Sequence, residues 1–121
     1  MNDPLVLLTS AHSSLGTSLA RYGYESTIAA DSADALTSLR ATRGISVLVA
    51  DVDRGGLLLA REARTIRPDL RVVYIATAPH RVAEKEKVRD APILRSPVTA
   101  HQLAGVIAGL GRRVLDNPVA A

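Results

Sequence analysis

A chain of 121 residues with 47% hydrophobic content makes one domain, long enough to bury a proper core, and is not a disordered polymer. It has no cysteine, which excludes a disulfide framework, a thiolate metal site and a cysteine nucleophile. A net charge of +3 rests on fifteen basic residues, all arginine except Lys85 and Lys87, while Tyr22, Tyr24 and Tyr74 are the only aromatic residues.

Leu5–Thr9 reads as a short apolar strand. Its apolar run is far too short for a signal peptide or a membrane span, so a cytoplasmic location is the default expectation. Ser13–Tyr22 follows as a helix with Leu15, Leu19 and Tyr22 on one face. Glu25–Ala30 is a second strand, modest in apolar content and expected at an edge. Asp31 or Ser32 caps the next helix, whose buried stripe is Ala35, Leu36 and Leu39 and which Gly44 ends. Ile45–Ala50 is the most continuous apolar run and therefore a central strand.

Leu57–Ile66 is helical and stops at Arg67, because Pro68 disfavours helix in the residue before it. Val72–Ala76 is another core strand. His80–Arg89 is charged nearly throughout, with only Val82, Ala83 and Val88 as apolar anchors, which predicts low local stability. Pro92–Arg95 is a short strand. The last helix opens on Thr99 with Gln102 three residues on, a capping-box pattern, and buries Leu103, Val106, Ile107, Leu110 and Val114. Residues 1–116 form the domain, and Asn117–Ala121 is a tail.

Helices alternating with short apolar strands imply parallel pairing through right-handed crossovers. The expected fold is a doubly wound three-layer α/β/α sandwich with a five-stranded sheet. Within it, Asp51 closes the central strand at its C-terminal end, where open α/β sheets collect ligands and chemistry.

Four stretches then resemble one family, the receiver domain of two-component response regulators. Val47–Val52 looks like the strand that ends in a phospho-accepting aspartate. Pro68–Tyr74 looks like the segment leading to a switch hydroxyl. Asp90–Pro97 is similar to the segment that ends in a Lys-Pro pair. Gly23–Leu36 is similar to the second strand and helix, and Ile75–Pro79 resembles a receiver subgroup with a Phe-Ala-Thr-Gly motif and a reduced fourth helix. The resemblance implies a CheY-like, flavodoxin-like sheet of order 2-1-3-4-5. It makes Asp51 the candidate phosphoacceptor, with Thr77 and Ser96 at the switch and phosphate-contact positions; an offset of one residue would put Ala76 in place of Thr77.

The departures from that family bear on activity. Its acidic pair on strand one, which helps hold magnesium, is Thr9-Ser10 here, and its lysine aligns with Ser96. The aromatic switch position aligns with Ile93, and the loop after Asp51 is shorter than the family's usual length. Magnesium wants an oxygen-rich, near-octahedral shell anchored by carboxylates. Replacing two carboxylates by neutral hydroxyls removes several kcal/mol of ion binding, as an order of magnitude. No ammonium group is left to stabilise a developing phosphoryl charge. Weak or absent magnesium binding is therefore expected, and no other cofactor.

Each residue also has a plainer role. Asp51 would be satisfied by backbone N–H groups of the Gly55-Gly56 turn, and Asp53 would cap its loop rather than serve as a substitute metal ligand. Ser10, Ser13 and Ser14 lie near His12, yet no acidic orienter completes a nucleophile pair. His12, His80 and His101 are scattered, which argues against a metal cluster. Arg54, Arg61, Arg64, Arg67 and Arg71 read as a solvated helix face, so nucleic acid is not an expected partner.

The expected function is that of a stand-alone degenerate receiver, not an enzyme, acting in phosphorelay signalling. Its partners would be a histidine kinase, a phosphotransfer protein, a downstream regulator or a second copy, with no membrane. The contact surface would be the last helix with strand five and His80–Arg89. The alternative is a ligand-binding α/β module whose neutral pocket of Thr9, Ser10 and Ser96 takes an anion or nucleotide.

Overall fold

Five short apolar runs become strands, and the stretches between them become helices or turns. In the computed structural model, which describes residues 5–116, the strands are β1 (Leu5–Thr9), β2 (Glu25–Ala29), β3 (Ile45–Asp51), β4 (Arg71–Ala76) and β5 (Ile93–Arg95). The helices are α1 (Ser14–Ala20), α2 (Ser32–Ala41), α3 (Gly56–Ile66) and α4 (Ala100–Asp116). The sheet is parallel throughout, in the order β2-β1-β3-β4-β5.

Strand alternation divides the core into two layers. Leu7, Leu48, Ala50, Val72 and Tyr74 pack with Leu39 of α2 and Leu59 and Ala63 of α3. Val6, Leu8, Val47, Val49, Val73 and Ile75 pack on the other side with Leu19 of α1 and Leu103 and Ile107 of α4. Apart from Ser46, β3 is buried along its whole length, as a central parallel strand covered on both faces must be. At the edge, β2 leaves Glu25 and Ile28 exposed.

Local chemistry sets the helix ends. Asp31 caps α2 by accepting the Asp34 N–H at 2.8 Å, while the Asp34 carboxylate accepts the Ala30 N–H at 2.8 Å. Thr99 and Gln102 form the capping box of α4: the Gln102 N–H donates to Thr99 Oγ1 at 3.1 Å, and the Thr99 N–H donates to Gln102 Oε1 at 3.0 Å. Two details depart from expectation. Helix α2 ends at Ala41 rather than running to Gly44, because Arg67 captures the carbonyls that follow. Tyr22 lies past the end of α1 and is 46% exposed, tilted against the His101 ring at 5.8 Å, so it does not belong to the core stripe. The expected burial of Val114 and the tail Asn117–Ala121 lie outside what the structure describes.

The stretch Pro79–Arg89 holds two short 3-10 turns, Pro79–Arg81 and Glu84–Glu86, in place of a helix covering the sheet. Val88 and Ala91 cover this part of the sheet instead. The segment is nonetheless tied down. Arg61 donates to the Glu86 carbonyl at 3.3 Å, Arg64 to the Arg89 carbonyl at 3.0 Å, and the Val88 N–H to the buried Tyr74 hydroxyl at 3.0 Å. Burial pushes the Tyr74 hydroxyl above its ordinary value of 10.0, with the Val88 N–H and the Arg64 and Arg61 charges pulling the other way. Arg67 donates to the carbonyls of Leu39 at 2.6 Å, Thr42 at 3.0 Å and Arg43 at 3.3 Å, and also to that of Ile45. Three arginines of the basic stretch thus fasten loops rather than present a charged surface.

Candidate functional site

Asp51 ends β3, lies beside Ile75 of β4 and is only 8% exposed. A buried carboxylate needs partners for its oxygens. The Asp53 N–H donates to Oδ1 at 2.9 Å, and His12 Nε2 lies 2.8 Å from Oδ2. A carboxylate can only accept, so Nε2 carries the proton in this pair. Arg54 Nε stands 3.7 Å from the same oxygen on a mostly exposed side chain, where water screens its attraction. The amide that satisfies Asp51 thus belongs to Asp53 rather than to the Gly55-Gly56 turn, and His12 supplies a second partner.

Those two glycines shape the loop in another way. Gly55 has φ +81°, the left-handed conformation that favours glycine. Gly56 opens α3 against the backbone of Asp51: a Cβ there would sit 2.5 Å from the Asp51 carbonyl oxygen and 2.6 Å from its carbon. The close approach seats the start of α3 against the Asp51 backbone.

His12 is the residue that sequence reasoning undervalued. It closes the 3-10 turn Ser10–His12, which leaves β1, and β1 pairs with β3, so this turn lies over the end of β3. The two residues are 39 positions apart, and only the strand order brings them together. Asp51 supplies the acidic orienter that the serine–histidine reading lacked. Among the described residues, however, no serine hydroxyl bonds to His12, and Ser10 Oγ donates to the Ala30 carbonyl at 3.2 Å. Among the described residues, His12 is thus paired with Asp51 and with no hydroxyl nucleophile.

The carboxylate of Asp53 turns toward β4 and accepts twice from Thr77: the N–H at 3.0 Å and the hydroxyl at 3.3 Å. Asp53 caps its loop and at the same time joins it to the residue after β4. Thr77 lies one residue beyond buried Ala76, and its hydroxyl faces the Asp53 carboxylate. Ser96 follows β5, its N–H donating to the Ala76 carbonyl at 2.9 Å, and its peptide bond to Pro97 is cis. Among the described residues no hydrogen bond joins the Ser96 side chain to Asp51, Asp53 or Thr77. Arg95 is exposed.

Thr9 and Ser10 border a cleft of about 180 Å³ shared with Asp31, Asp51, Arg54 and Gly56. Thr9 Oγ1 is buried with no hydrogen-bond partner among the described residues. A magnesium ion held at the strand ends would need free carboxylate oxygens. Here Oδ2 of Asp51 is engaged by a proton-bearing nitrogen, Asp53 faces Thr77, and Ser10 is committed to Ala30. This donor set does not fit the ion. Among the described residues, no group of three or more His, Asp or Glu side chains is arranged to hold a metal.

Solved structures place this geometry in a class. The chain matches a response regulator receiver protein from Sinorhizobium medicae at 26% identity, with 88% of this chain and 93% of that one covered and a TM-score of 0.72. It matches a response regulator receiver domain from Clostridium thermocellum at 24% identity, covering 93% and 98%, with a TM-score of 0.74. A chemotaxis response regulator of Vibrio cholerae is similar at 22% identity, covering 87% and 96%, with a TM-score of 0.72. No protein-family model and no curated protein sequence matches the chain. The fold is that of the CheY-like response regulator receiver domains. Among the described residues, no helix is long and apolar enough to cross a membrane.

Proposed function

We propose that the chain is a receiver of two-component, phosphorelay signal transduction that works through protein–protein contact rather than catalysis. Its partner would be a histidine kinase, a phosphotransfer protein or a downstream regulator, with self-association as a further mode. Asp51 keeps the acceptor's place, and metal-assisted phosphorylation there is inefficient. One observation carries this reading: the buried carboxylate at the end of β3 is held by His12 at 2.8 Å, where a metal-dependent acceptor would need open coordination. Phosphoryl transfer relies on positioning and charge neutralisation, and Ser96 offers no cation for either.

The test is incubation with acetyl phosphate, or with beryllofluoride and magnesium, followed by amide NMR and intact mass. The wild-type chain should show no adduct and no Asp51-dependent shifts. Retention of a kinase or phosphotransfer domain should be equal for wild type and Asp51→Asn. An adduct that disappears in Asp51→Asn would overturn the degenerate reading.

An anion- or nucleotide-binding module is the second reading, motivated by Arg54 and the hydroxyls of Thr9 and Ser10 in the cleft. Asp31 and Asp51 border the same cleft and oppose an anion. A dose-dependent rise in melting temperature with nucleotide, without retention of any signalling partner, would favour this second reading.

A further inference from the structure

Three hydrogen-bonded contacts run in series across the crevice. His12 holds Oδ2 of Asp51, the Asp53 N–H holds Oδ1, and the Asp53 carboxylate holds the amide and hydroxyl of Thr77. They join the turn after β1, the loop after β3 and the residue after β4 without any outside ligand. We propose that His12 is an internal replacement for a metal ion: it occupies the coordinating oxygen of Asp51 and, through Asp53, keeps Thr77 latched.

The chemistry supports a replacement rather than an incidental contact. The imidazole Nε2–H points a positive dipole at the oxygen a cation would take. Its ring is largely buried, at 18% exposure, beside a carboxylate at 10%. In that setting, removing the imidazole leaves Oδ2 with only the exposed Arg54 guanidinium at 3.7 Å and the adjoining cleft, a site open to a cation. Thr9 and Ser10 do not compete for the oxygen, since one hydroxyl is unpartnered and the other is bonded to Ala30. His12 is thus a positioning residue that both satisfies Asp51 and excludes a divalent ion. The inference rests on the reading of Asp51 as a receiver acceptor position.

Position 12 can be converted. An aspartate there is shorter than histidine, by roughly an ångström. That opens the 2.8 Å gap toward the spacing of two oxygens that share one ion, each at about 2.1 Å. Magnesium titration of the full chain, followed by amide shifts of Asp51, Asp53 and Thr77, reads this directly and needs no partner or phosphodonor. His12→Asp should bind magnesium at least roughly tenfold more tightly than wild type, with a dose-dependent gain in melting temperature. His12→Gln, whose side-chain amide reaches about as far as Nε2, keeps an N–H donor against Oδ2 and should stay as unresponsive as wild type. His12→Ala should speed hydrogen exchange at the Asp53 and Thr77 amides without any metal, which a purely local packing role would not do.

Equal magnesium affinity in wild type and His12→Asp would overturn the replacement. If His12→Asp does not fold even with magnesium, His12→Ala decides: unchanged exchange at Asp53 and Thr77 sinks the latch, and accelerated exchange upholds it. Either failure leaves the partner-retention test of the proposed function untouched, so the two readings fall separately.

Discussion

Replacing Gly56 by alanine isolates the contact that seats α3 against Asp51. On helix propensity alone the change is favourable by up to about 1 kcal/mol. The new Cβ, however, would lie 2.5, 2.6 and 2.8 Å from the carbonyl oxygen, carbonyl carbon and nitrogen of Asp51. All three are backbone atoms of a buried strand residue and cannot swing aside. Overpacking of this kind costs about 1–3 kcal/mol, and backbone on backbone belongs at the upper end. The net expectation is a loss of about 2 kcal/mol, or a fall in melting temperature of roughly 8 °C for a domain of this size. Urea denaturation with linear extrapolation measures the first quantity and a thermal melt the second. Gly105→Ala in α4 is the matched comparison: nothing lies within 4 Å of its added Cβ, so the same chemical change should stabilise by about 0.5–1 kcal/mol. A Gly56→Ala chain as stable as wild type would show that the loop yields freely, and the close-approach argument would be wrong.

Gly55→Ala places a Cβ at φ +81° and should cost about 1 kcal/mol in the same denaturation experiment, through its own adjoining backbone rather than any distant contact. Arg67→Ala leaves the carbonyls of Leu39, Thr42 and Arg43 without their donor; a loss of order 2 kcal/mol and faster amide exchange around residues 42–45 are expected. Tyr74→Phe removes the acceptor of the Val88 N–H and should lower stability by about 1 kcal/mol, with exchange rising locally at Val88. Tyr74 also sets an alkaline dependence. Its folded value is raised above 10.0, so above pH 10 the unfolded chain loses this proton first; stability is full below that pH and falls as pH climbs through the raised value. Denaturation midpoints of wild type and Tyr74→Phe across alkaline pH should therefore converge, and parallel curves would refute the assignment.

Much of the fold is legible in the residues because the signals are local. The unbroken apolar run of β3 marks a strand covered on both faces. Thr99 with Gln102, and Asp31 with Asp34, announce helix starts through side chains that can reach only the neighbouring backbone. Asp51 was identifiable for the same reason, as a carboxylate closing a buried strand just before a glycine turn. Composition leaves out what only geometry supplies: His80–Arg89 has sparse apolar anchors, and hydrogen bonds with Tyr74, Arg61 and Arg64 on distant elements meet its backbone. Tyr22 fits the period of a core stripe but falls beyond the last turn of α1.

What tertiary structure alone decided is who touches Asp51. Periodicity and capping act over a few residues, whereas the pairing of β1 with β3 brings His12 across 39 positions of chain to within 2.8 Å. No spacing rule encodes that distance; it follows from parallel strand order, which sets the C-terminal ends of β1, β3 and β4 side by side. The sequence by itself determined which segments are buried and where the crevice opens. The arrangement of strands then determined that the crevice satisfies its own charges, through His12 on one side and Thr77 on the other.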